Sequence, residues 1–477
     1  MSTLDRYDLP ITTSSPEAAD HYIRGVDLVL AQQYGPEDAL TAAVEADEGF
    51  AAAHVALGMV RMMRGAAPQS RESMRQAHDT AGGVSKRERQ QIEIIDLWVR
   101  GEGHKAVARL REHLAEYPRD CMMIRLAQRL FIRGCSSVGS GDANFPPVYY
   151  ALLSSISPAY GEDWAFYGQY AWANHEIGLI DEGMRLAQRS LDMRPDNAVA
   201  AHSIAHVHFE TGDPSGGADF LGTWLGTLDK RADYRVHLSW HQALFELALG
   251  RQQKVESWYY EEIEPSLRRG RLASLAEGAS LLWRMQVYSG AAPTLPWDVV
   301  CPLAAPAAEK AGVAFGDAHA ALALAGSGDH DALGRMLDCL QAEAGKGNAL
   351  AGEVMVPLVQ GLDAFAHEDY DSAVKHLGPL EDQIVRIGGS HAQREVFEDT
   401  ILEAYLRAGE FDAAEAMLTE RLSRRSTPRD TFWLGRLEAG RGADDEAQGR
   451  FRDAEEAWQT ADGSFPELDI LRRMARN

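Results

Sequence analysis

Two pairs of histidines with the same internal spacing carry the strongest chemical signal in the chain. His202 and His206 form the first pair, and His237 and His241 form the second. A spacing of four places both imidazoles of a pair on one face of a helix, about one turn apart. Each member of the second pair follows its counterpart by 35 residues. In a helical repeat protein, this constant offset predicts equivalent places in neighbouring repeats, with all four rings facing one another.

Converging imidazoles could bind a transition metal or transfer protons. Neutral imidazole is a common ligand for zinc, iron, copper and nickel, although the sequence does not say which of them is bound, if any. The predicted metal ligands are His202, His206, His237, His241 and His319, and the predicted acid–base groups are His202, His206 and His241. The alternative is a structural network in which the same rings hydrogen-bond to backbone and carboxylates. The HxxxH pairs lack the glutamate of the HExxH zincin motif, so they indicate no protease mechanism.

Two further residues are predicted to line a substrate pocket. Trp172 stands one repeat before the first histidine pair, at a comparable helical position. Arg284 shares one helical stripe with Glu277 and Ser280, at the spacing of neighbours along a helix face. This stripe could form a polar pocket wall, or Glu277 and Arg284 could form an ion pair within the helix.

A glycine-containing turn in RIGGSHAQREVF (386–397) predicts a second ligand-binding element. Ser390 can cap the helix that follows, which leaves backbone N–H groups for an anion. Gln393 and Arg394 then lie in the first turn, where Arg394 could hold a substrate carboxylate through two hydrogen bonds. The alternative is a glycine helix end followed by an ordinary surface helix.

The rest of the chain reads as a succession of amphipathic helices of about a dozen residues, separated by glycine turns. Strand signals are nearly absent. A first helix with a small-residue centre and a second helix with alanines recur together, as in the 34-residue tetratricopeptide pattern. We therefore predict an all-α fold, a tetratricopeptide-like α-solenoid of antiparallel helix pairs. The clearest copies cover 17–50, 51–84, 91–118, 164–195, 198–231, 233–266, 353–380, 398–422 and 430–459.

Interruptions of this rhythm suggest four regions. They are N-terminal repeats (1–134), an excursion rich in glycine, proline and aromatic residues (135–163), central repeats with the histidine pairs (164–290) and C-terminal repeats (291–477). The excursion could cover the groove as a lid, or its aromatic residues could be ordinary core.

Composition excludes several classes of function. The formal net charge of −24 argues against nucleic acid or an anionic bilayer as a partner, because phosphates require a basic patch. No apolar run is long enough for a membrane span, and the N-terminus has no secretory signal pattern. The four cysteines form no CxxC pair, which favours reduced thiols and a cytoplasmic location. Walker A, GxGxxG and GxSxG motifs are absent as well.

The chain resembles the tetratricopeptide repeat protein 38 family. The resemblance rests on YGQYAWANHEIGLIDEG, LDMRPDNAVAAHSIAHVHFETGD and HLSWHQALFELALG, and later on EGASLLWRM, FGDAHAALA and QIVRIGGSHAQREVF. It implies an α-helical repeat fold and a cytosolic distribution, and it brings no established reaction. After AHVH the family tends to place an acidic residue, whereas here Phe209 precedes Glu210, so a role for Glu210 stays open, as does one for Glu277.

Two functions fit these observations. In the first, the protein binds a small molecule in a histidine-rich concave pocket, with or without a transition metal, and is a candidate enzyme of small-molecule metabolism. In the second, it is a non-catalytic scaffold that binds a protein or peptide in its groove. The sequence disfavours the second, because the helices that line the groove carry His, Trp, Phe and Ala rather than Asn, Lys and Arg.

Overall fold

Most of the described residues lie in helices. The computed structural model describes residues 3–290 and 294–476. Within these ranges the only sheet is a pair of two-residue antiparallel strands, β1 (Thr3–Leu4) and β2 (Pro10–Ile11). The all-α prediction is confirmed. Among the helices of the same ranges, none combines the length and apolar character that crossing a bilayer demands.

The described residues fall into two compact units. The first comprises 3–204 and 227–235, and the second comprises 205–226, 236–290 and 294–476. The first unit contains α1 (Pro16–Leu30), α2 (Pro36–Ala46), α3 (Ala51–Met63), α4 (Ala67–Asp79), α5 (Lys86–Val99), α6 (Gly103–Glu116), α7 (Cys121–Phe131), α8 (Phe145–Ile156), α9 (Trp164–His175), α10 (Ile180–Met193) and the start of α11 (Ala198–Glu210).

The second unit contains the end of α11 and the helices that follow it. These are α12 (Pro214–Trp224), α13 (Arg235–Ala248), α14 (Gln252–Trp258), α15 (Glu264–Arg268), α16 (Leu275–Ser289), α17 (Trp297–Glu309), α18 (Ala314–Ser327), α19 (His330–Gly345), α20 (Val356–Ala366), α21 (Tyr370–Leu377), α22 (His391–Ala408), α23 (Phe411–Arg424), α24 (Pro428–Gly440), α25 (Asp444–Ala457) and α26 (Pro466–Met474).

Consecutive helices pack against each other in pairs, as the repeat pattern predicts. The pairs include α1 with α2, α3 with α4, α5 with α6, α9 with α10, α20 with α21 and α24 with α25. Glycines permit the close approach. A Cβ on Gly58 of α3 would lie 2.9 Å from Met74 Sδ of α4, and one on Gly435 of α24 would lie 2.6 Å from the Phe451 ring of α25. The tetratricopeptide-like pairing is therefore confirmed.

The excursion predicted at 135–163 contains a regular helix. α8 packs against both α7 and α9, in the place of the second helix of a pair. Its Tyr149 is fully buried, with ring centroids 5.4 Å from Phe131 and 5.6 Å from Trp172. The lid role and the division into four regions stay predictions. Farther along the chain, α17 is helical despite Pro302 and Pro306, and residues 291–293 lie outside the described ranges.

The second unit brings distant parts of the chain together. Trp283 Nε1 of α16 donates to Thr400 Oγ1 of α22 at 2.9 Å, although 117 residues separate them. Trp458 Nε1, at the end of α25, donates to the carbonyl oxygen of Ala248 at 3.0 Å. Its C-terminal helices thus pack on helices that precede them by one to two hundred residues.

We expect Glu403 to be an essential link between α22 and α24. It is 2% exposed and accepts hydrogen bonds from Trp433 Nε1 at 2.7 Å and Arg407 Nε at 2.9 Å, and it is also paired with Arg436. Replacing Glu403 by Gln should lower the free energy of unfolding by about 3 kcal/mol, because two partly buried guanidinium groups lose their counter-charge. Urea unfolding monitored by circular dichroism measures this loss.

The matched control for this change is Glu415→Gln, which breaks the exposed Arg441–Glu415 pair. Its cost should stay below about 1 kcal/mol, because exposed ion pairs stabilise weakly. Burial works to raise the pKa of Glu403, but Arg436 and Arg407 outweigh it and lower the pKa to about 2. The contribution of Glu403 should therefore be complete above about pH 4.5 and should disappear as the pH falls towards 2. An equal cost for the two substitutions would contradict this assignment.

Candidate functional site

The histidine pairs lie on helices, as their spacing predicts. α11 carries His202 and His206, and α13 carries His237 and His241. His202 belongs to the first unit, where it is 4% exposed and its ring contacts Tyr234 with centroids 5.3 Å apart. The other three histidines belong to the second unit. The convergence of all four imidazoles stays a prediction.

Within the second unit, three imidazoles form a row. His206 and His241 make an edge-to-face contact with centroids 4.7 Å apart, and His241 and His237 make another at 4.9 Å. His206 is fully buried and His241 is 1% exposed, whereas the side chain of His237 keeps 13% exposure. We call these three residues the histidine row. His206 and His241 occupy the equivalent positions that the offset of 35 predicts.

A buried carboxylate orients the accessible end of the histidine row. His237 Nδ1 donates to Glu277 Oε1 of α16 at 2.9 Å, since a carboxylate oxygen can only accept. This bond orients the imidazole and, whenever the ring is neutral, places its proton on Nδ1. Trp240 stacks on His237 with centroids 5.5 Å apart, and its Nε1 donates to Ser280 Oγ at 3.0 Å. Glu277 therefore contacts the histidine row directly and Ser280 contacts it through Trp240, while the pocket-wall role of this stripe stays a prediction.

A cluster of charged side chains begins one helical turn beyond His206, at Glu210 of α11. Glu210 accepts from His391 Nδ1 at 2.9 Å, and Glu398 lies 3.6 Å from Nε2 of the same ring. Burial works to lower the pKa of His391, but the two carboxylates outweigh it and raise the pKa to about 9. Arg424 Nη1 also lies 3.1 Å from Nε2 and opposes this shift, but its side chain is 40% exposed and well screened. We therefore assign His391 as an imidazolium held between two carboxylates.

The pKa values of the two carboxylates, Glu210 and Glu398, are shifted in the opposite direction, downwards. Burial works to raise the pKa of Glu210, but His391 and Arg425 outweigh it and lower the pKa to about 2. His206 acts on Glu210 in the same sense. The pKa of Glu398 is likewise lowered to about 2, because His391 and Arg421 outweigh its burial. The acid–base groups of the second unit thus continue from Glu277 through the histidine row to Glu210, His391 and Glu398.

A small arginine-lined cleft with a cavity volume of about 50 Å³ lies in the second unit. It is bordered by Arg284, Arg421, Arg425 and Arg429. Three of these arginines have buried acidic partners: Arg421 contacts Asp399 at 2.7 Å, Arg429 contacts Glu467 at 2.6 Å, and Arg425 pairs with Glu395. Arg284 instead donates to the carbonyl oxygen of Ala392 at 2.9 Å, and among the described residues no carboxylate lies within ion-pair distance of it, although Asp399 acts on it from farther away.

Trp240 connects the cleft to the histidine row. The guanidinium carbon of Arg284 lies 5.8 Å from the Trp240 ring centroid, and the His241 ring lies 4.7 Å from the same side chain. Burial lowers the pKa of Arg284, with Tyr288 and Asp399 opposing it, although an arginine stays charged at neutral pH. Arg284 is thus a buried cation beside both the cleft and the row.

The other predicted site residues lie in varied surroundings. Trp172 is fully buried in the first unit and contacts His175 at 6.1 Å between ring centroids. His319 is 1% exposed and donates from Nδ1 to the carbonyl oxygen of Phe315 at 2.7 Å, so only its Nε2 could bind a metal. The metal-binding role of His319 and the substrate-binding role of Trp172 stay predictions.

Ser390, Gln393 and Arg394 lie in the first turn of α22, as predicted. Gln393 Oε1 accepts from the backbone N–H of Ser390 at 3.1 Å in a capping box. Arg394 donates to the carbonyl oxygen of Gly389. Both side chains are thus engaged in shaping the helix start, and their substrate-binding role stays a prediction.

Sequence reasoning missed His391 and the arginines of 421–429. His391 lies inside the quoted QIVRIGGSHAQREVF segment, but its partner Glu210 is 181 residues away. The arginines belong to RLSRRSTPRD (421–430), which reads as a basic surface turn. One local sign that this segment is ordered is that Thr427 caps the helix α24, which begins within it. That cap brings Arg425 and Arg429 close to a helix start, but it does not reveal which surface covers them.

Comparison with known proteins gives a likeness of fold at low similarity. No family model matches the chain. Human IFIT1, as a dimer with m7Gppp-AAAA, is 12% identical, with 96% of each chain covered and a TM-score of 0.37. Yeast Tom70 is 13% identical, with 96% of this chain and 95% of that chain covered and a TM-score of 0.33.

A third similar structure is described as a tetratricopeptide domain. The P58(IPK) TPR domain is 11% identical, with 82% of this chain and 89% of that chain covered and a TM-score of 0.22. TM-scores this low carry no argument about partners or activity. The finer resemblance to the tetratricopeptide repeat protein 38 family stays a prediction.

We expect His391 to titrate far above an ordinary histidine. Its imidazolium should persist through pH 7.5 and lose its proton near pH 9, as followed by the ring Cε1–H shift in NMR. Because the folded pKa exceeds the unfolded value, His391 stabilises the protein fully below about pH 6.5, and this stabilisation is lost as the pH rises through 9. Glu210→Gln should lower the His391 pKa by removing the hydrogen-bonded carboxylate.

The control is Glu17→Gln, which also removes one negative charge but lies beside the exposed His21 in the first unit. It should leave the His391 titration unchanged. A His391 resonance that titrates near 6.5 in the unaltered protein would contradict the assignment.

Proposed function

We propose that the protein is a helical repeat protein whose second unit binds a small molecule at the histidine row, as a candidate enzyme of small-molecule metabolism. One observation carries the proposal: a buried carboxylate orients His237, and the ring of His237 leads directly to His241 and His206. Helical repeats need only apolar and small residues at such positions, so three adjoining imidazoles in a core have a more specific use.

The histidine row suits proton transfer to a bound molecule. An imidazole oriented by a carboxylate through Nδ1 presents Nε2 to a reactant, the arrangement used by general bases. His237 is the partly exposed member, so a small molecule would reach the row at this end. We assign His237 to the first contact with substrate, with His241 and His206 behind it as further acid–base groups.

The same residues fit a transition metal. Metal-binding histidines commonly donate their second ring N–H to a carboxylate, as His237 does to Glu277. We retain His202, His206, His237, His241 and His319 as proposed ligands for zinc, iron, copper or nickel. A metal held there would polarise a bound substrate or lower the pKa of a bound water. The residues of this chain would orient the ligand nitrogens and shield the site from bulk water.

The chemical class of the small molecule follows from Arg284. A buried guanidinium that makes no ion pair in the described ranges favours a carboxylate or phosphate group nearby, since an ion pair would offset its desolvation. The neighbouring arginines are already paired with acids, so they shape the cleft rather than supply free charge.

The alternative function is a scaffold for a protein or peptide, which the helical repeat fold supports. Peptide clamps use exposed cationic and amide side chains along a groove. In the described part of the second unit, Arg284, Arg421 and Arg429 are instead more than nine-tenths buried. We therefore rank small-molecule binding first.

The proposal is tested on protein purified without an affinity tag. Metal content is measured by mass spectrometry, and anionic metabolites are screened by native mass spectrometry and thermal shift. We expect a ligand or metal in about one equivalent, with its affinity reduced about 10- to 100-fold by Glu277→Gln, because the orienting carboxylate is lost. His237→Ala should abolish binding.

His78→Ala serves as the control, since His78 is an exposed first-unit histidine beside Asp96. It should bind like the unaltered protein. The proposal would be rejected in favour of the scaffold if the protein bound no metal and no small molecule but captured a peptide with an affinity that Glu277→Gln leaves unchanged.

A further inference from the structure

A second histidine cluster lies in the second unit, on the surface and apart from the residues discussed so far. His330 is the first residue of α19, Asp363 lies in the last turn of α20, and His367 caps the end of α20. Their side chains are 39%, 32% and 51% exposed, respectively. One nitrogen or oxygen from each of the three comes within 4.8 Å of the others.

Both imidazoles turn the same nitrogen towards one carboxylate. His330 Nδ1 lies 2.7 Å from Asp363 Oδ1, and His367 Nδ1 lies 3.5 Å from the same oxygen. The two rings are 3.8 Å apart at their centroids and 32° from parallel. His367 Nδ1 also lies 2.9 Å from the carbonyl oxygen of Asp363. Two nitrogens and one oxygen thus gather at one point on the surface.

We propose that His330, Asp363 and His367 bind a divalent transition metal ion, with solvent completing its coordination. In tetrahedral zinc sites with bonds of about 2.0–2.1 Å, neighbouring ligand atoms are about 3.3 Å apart. The observed separations of 2.7 and 3.5 Å bracket this value. Because the candidate ligand atoms of all three residues lie within 4.8 Å of one another, rotations of these exposed side chains would bring them to a common ion.

The ligand types select the class of ion. Two imidazoles and one carboxylate suit zinc, nickel or copper, whereas magnesium and calcium prefer oxygen ligands alone. Asp363 and His367 are separated by one helical turn, so their side chains lie on the same face of α20. His330 enters from a different helix, so the ion would connect two helices.

The local field favours a cation. Asp363 and His367 occupy the C-terminal end of α20, where the helix dipole is negative. Asp369 caps the next helix nearby and interacts electrostatically with His367. His330 lies at the positive start of α19, but Asp329 and Asp331 flank it in sequence and offset that end.

The consequence of binding is mechanical. α19 and α20 already pack against each other. An ion held by His330 from α19 and by two residues of α20 would act as a cross-link between them and would stabilise the folded state of the second unit. Because a ligand stabilises only the state that it binds, saturating zinc should raise the melting temperature.

The test uses full-length, tag-free protein treated with chelator and then titrated with zinc chloride by calorimetry. We expect zinc binding that weakens at least about tenfold in His330→Ala and in His367→Gln, since each removes one ligand. Zinc, but not magnesium, should raise the melting temperature of the unaltered protein. Electron paramagnetic resonance of the copper form should show coupling to two imidazole nitrogens.

Two control variants separate this site from the histidine row. His241→Ala should keep the surface zinc site, and His78→Ala should keep it as well. The exposed positions of His330 and His367 mean that their variants should retain the far-UV spectrum of the unaltered protein. The deciding measurements are made in the His237→Ala background, which removes binding at the histidine row. There, zinc affinity and a melting shift that survive the further changes His330→Ala and His367→Gln would overturn the proposal, as would copper coupled to fewer than two nitrogens.

Discussion

Buried ion pairs along α22 are the interaction on which the second unit depends. Four acids of this helix (Glu395, Glu398, Asp399 and Glu403) face arginines and His391 within hydrogen-bonding or ion-pair distance. Removing charges from water is costly, and only close, complementary pairing offsets the cost. The helices that supply the partners must therefore meet α22 in one register. Once they do, the C-terminal helices are fixed on the helices that precede them.

The histidine row borders this charged region, and most side chains of both are buried away from water. In such surroundings a charge is felt more strongly than in water, so a single carboxylate can orient an imidazole or shift its protonation. Glu277 does the first for His237, and Glu210 does the second for His391. The same type of pair therefore serves two purposes: it orients the ring of His237, and it keeps the ring of His391 charged between neighbouring helices.

Particular residues show how far sequence could reach into the site. The spacing of four and the offset of 35 brought His206 and His241 into one site before any coordinates, because both intervals follow from helix and repeat geometry. Ser390 and Gln393 were recognisable as a helix start for a similar local reason. His391 was not recognisable as a charged site residue, since nothing near it in sequence resembles Glu210. Arg425 and Arg429 looked like surface charges because their acidic partners are not adjacent in the chain.

The sequence by itself determined the helices, their glycine-separated pairing and the phase of the histidines, because these features depend on residues within one or two turns of each other. Only the tertiary structure decided which helices that are distant in sequence pack against each other. That choice depends on side chains that are far apart in sequence and come into contact only when water is excluded between them. Burial then decides whether a carboxylate beside a histidine is screened by water or controls the orientation and pKa of the ring. The sequence does not show how deeply a distant partner is buried.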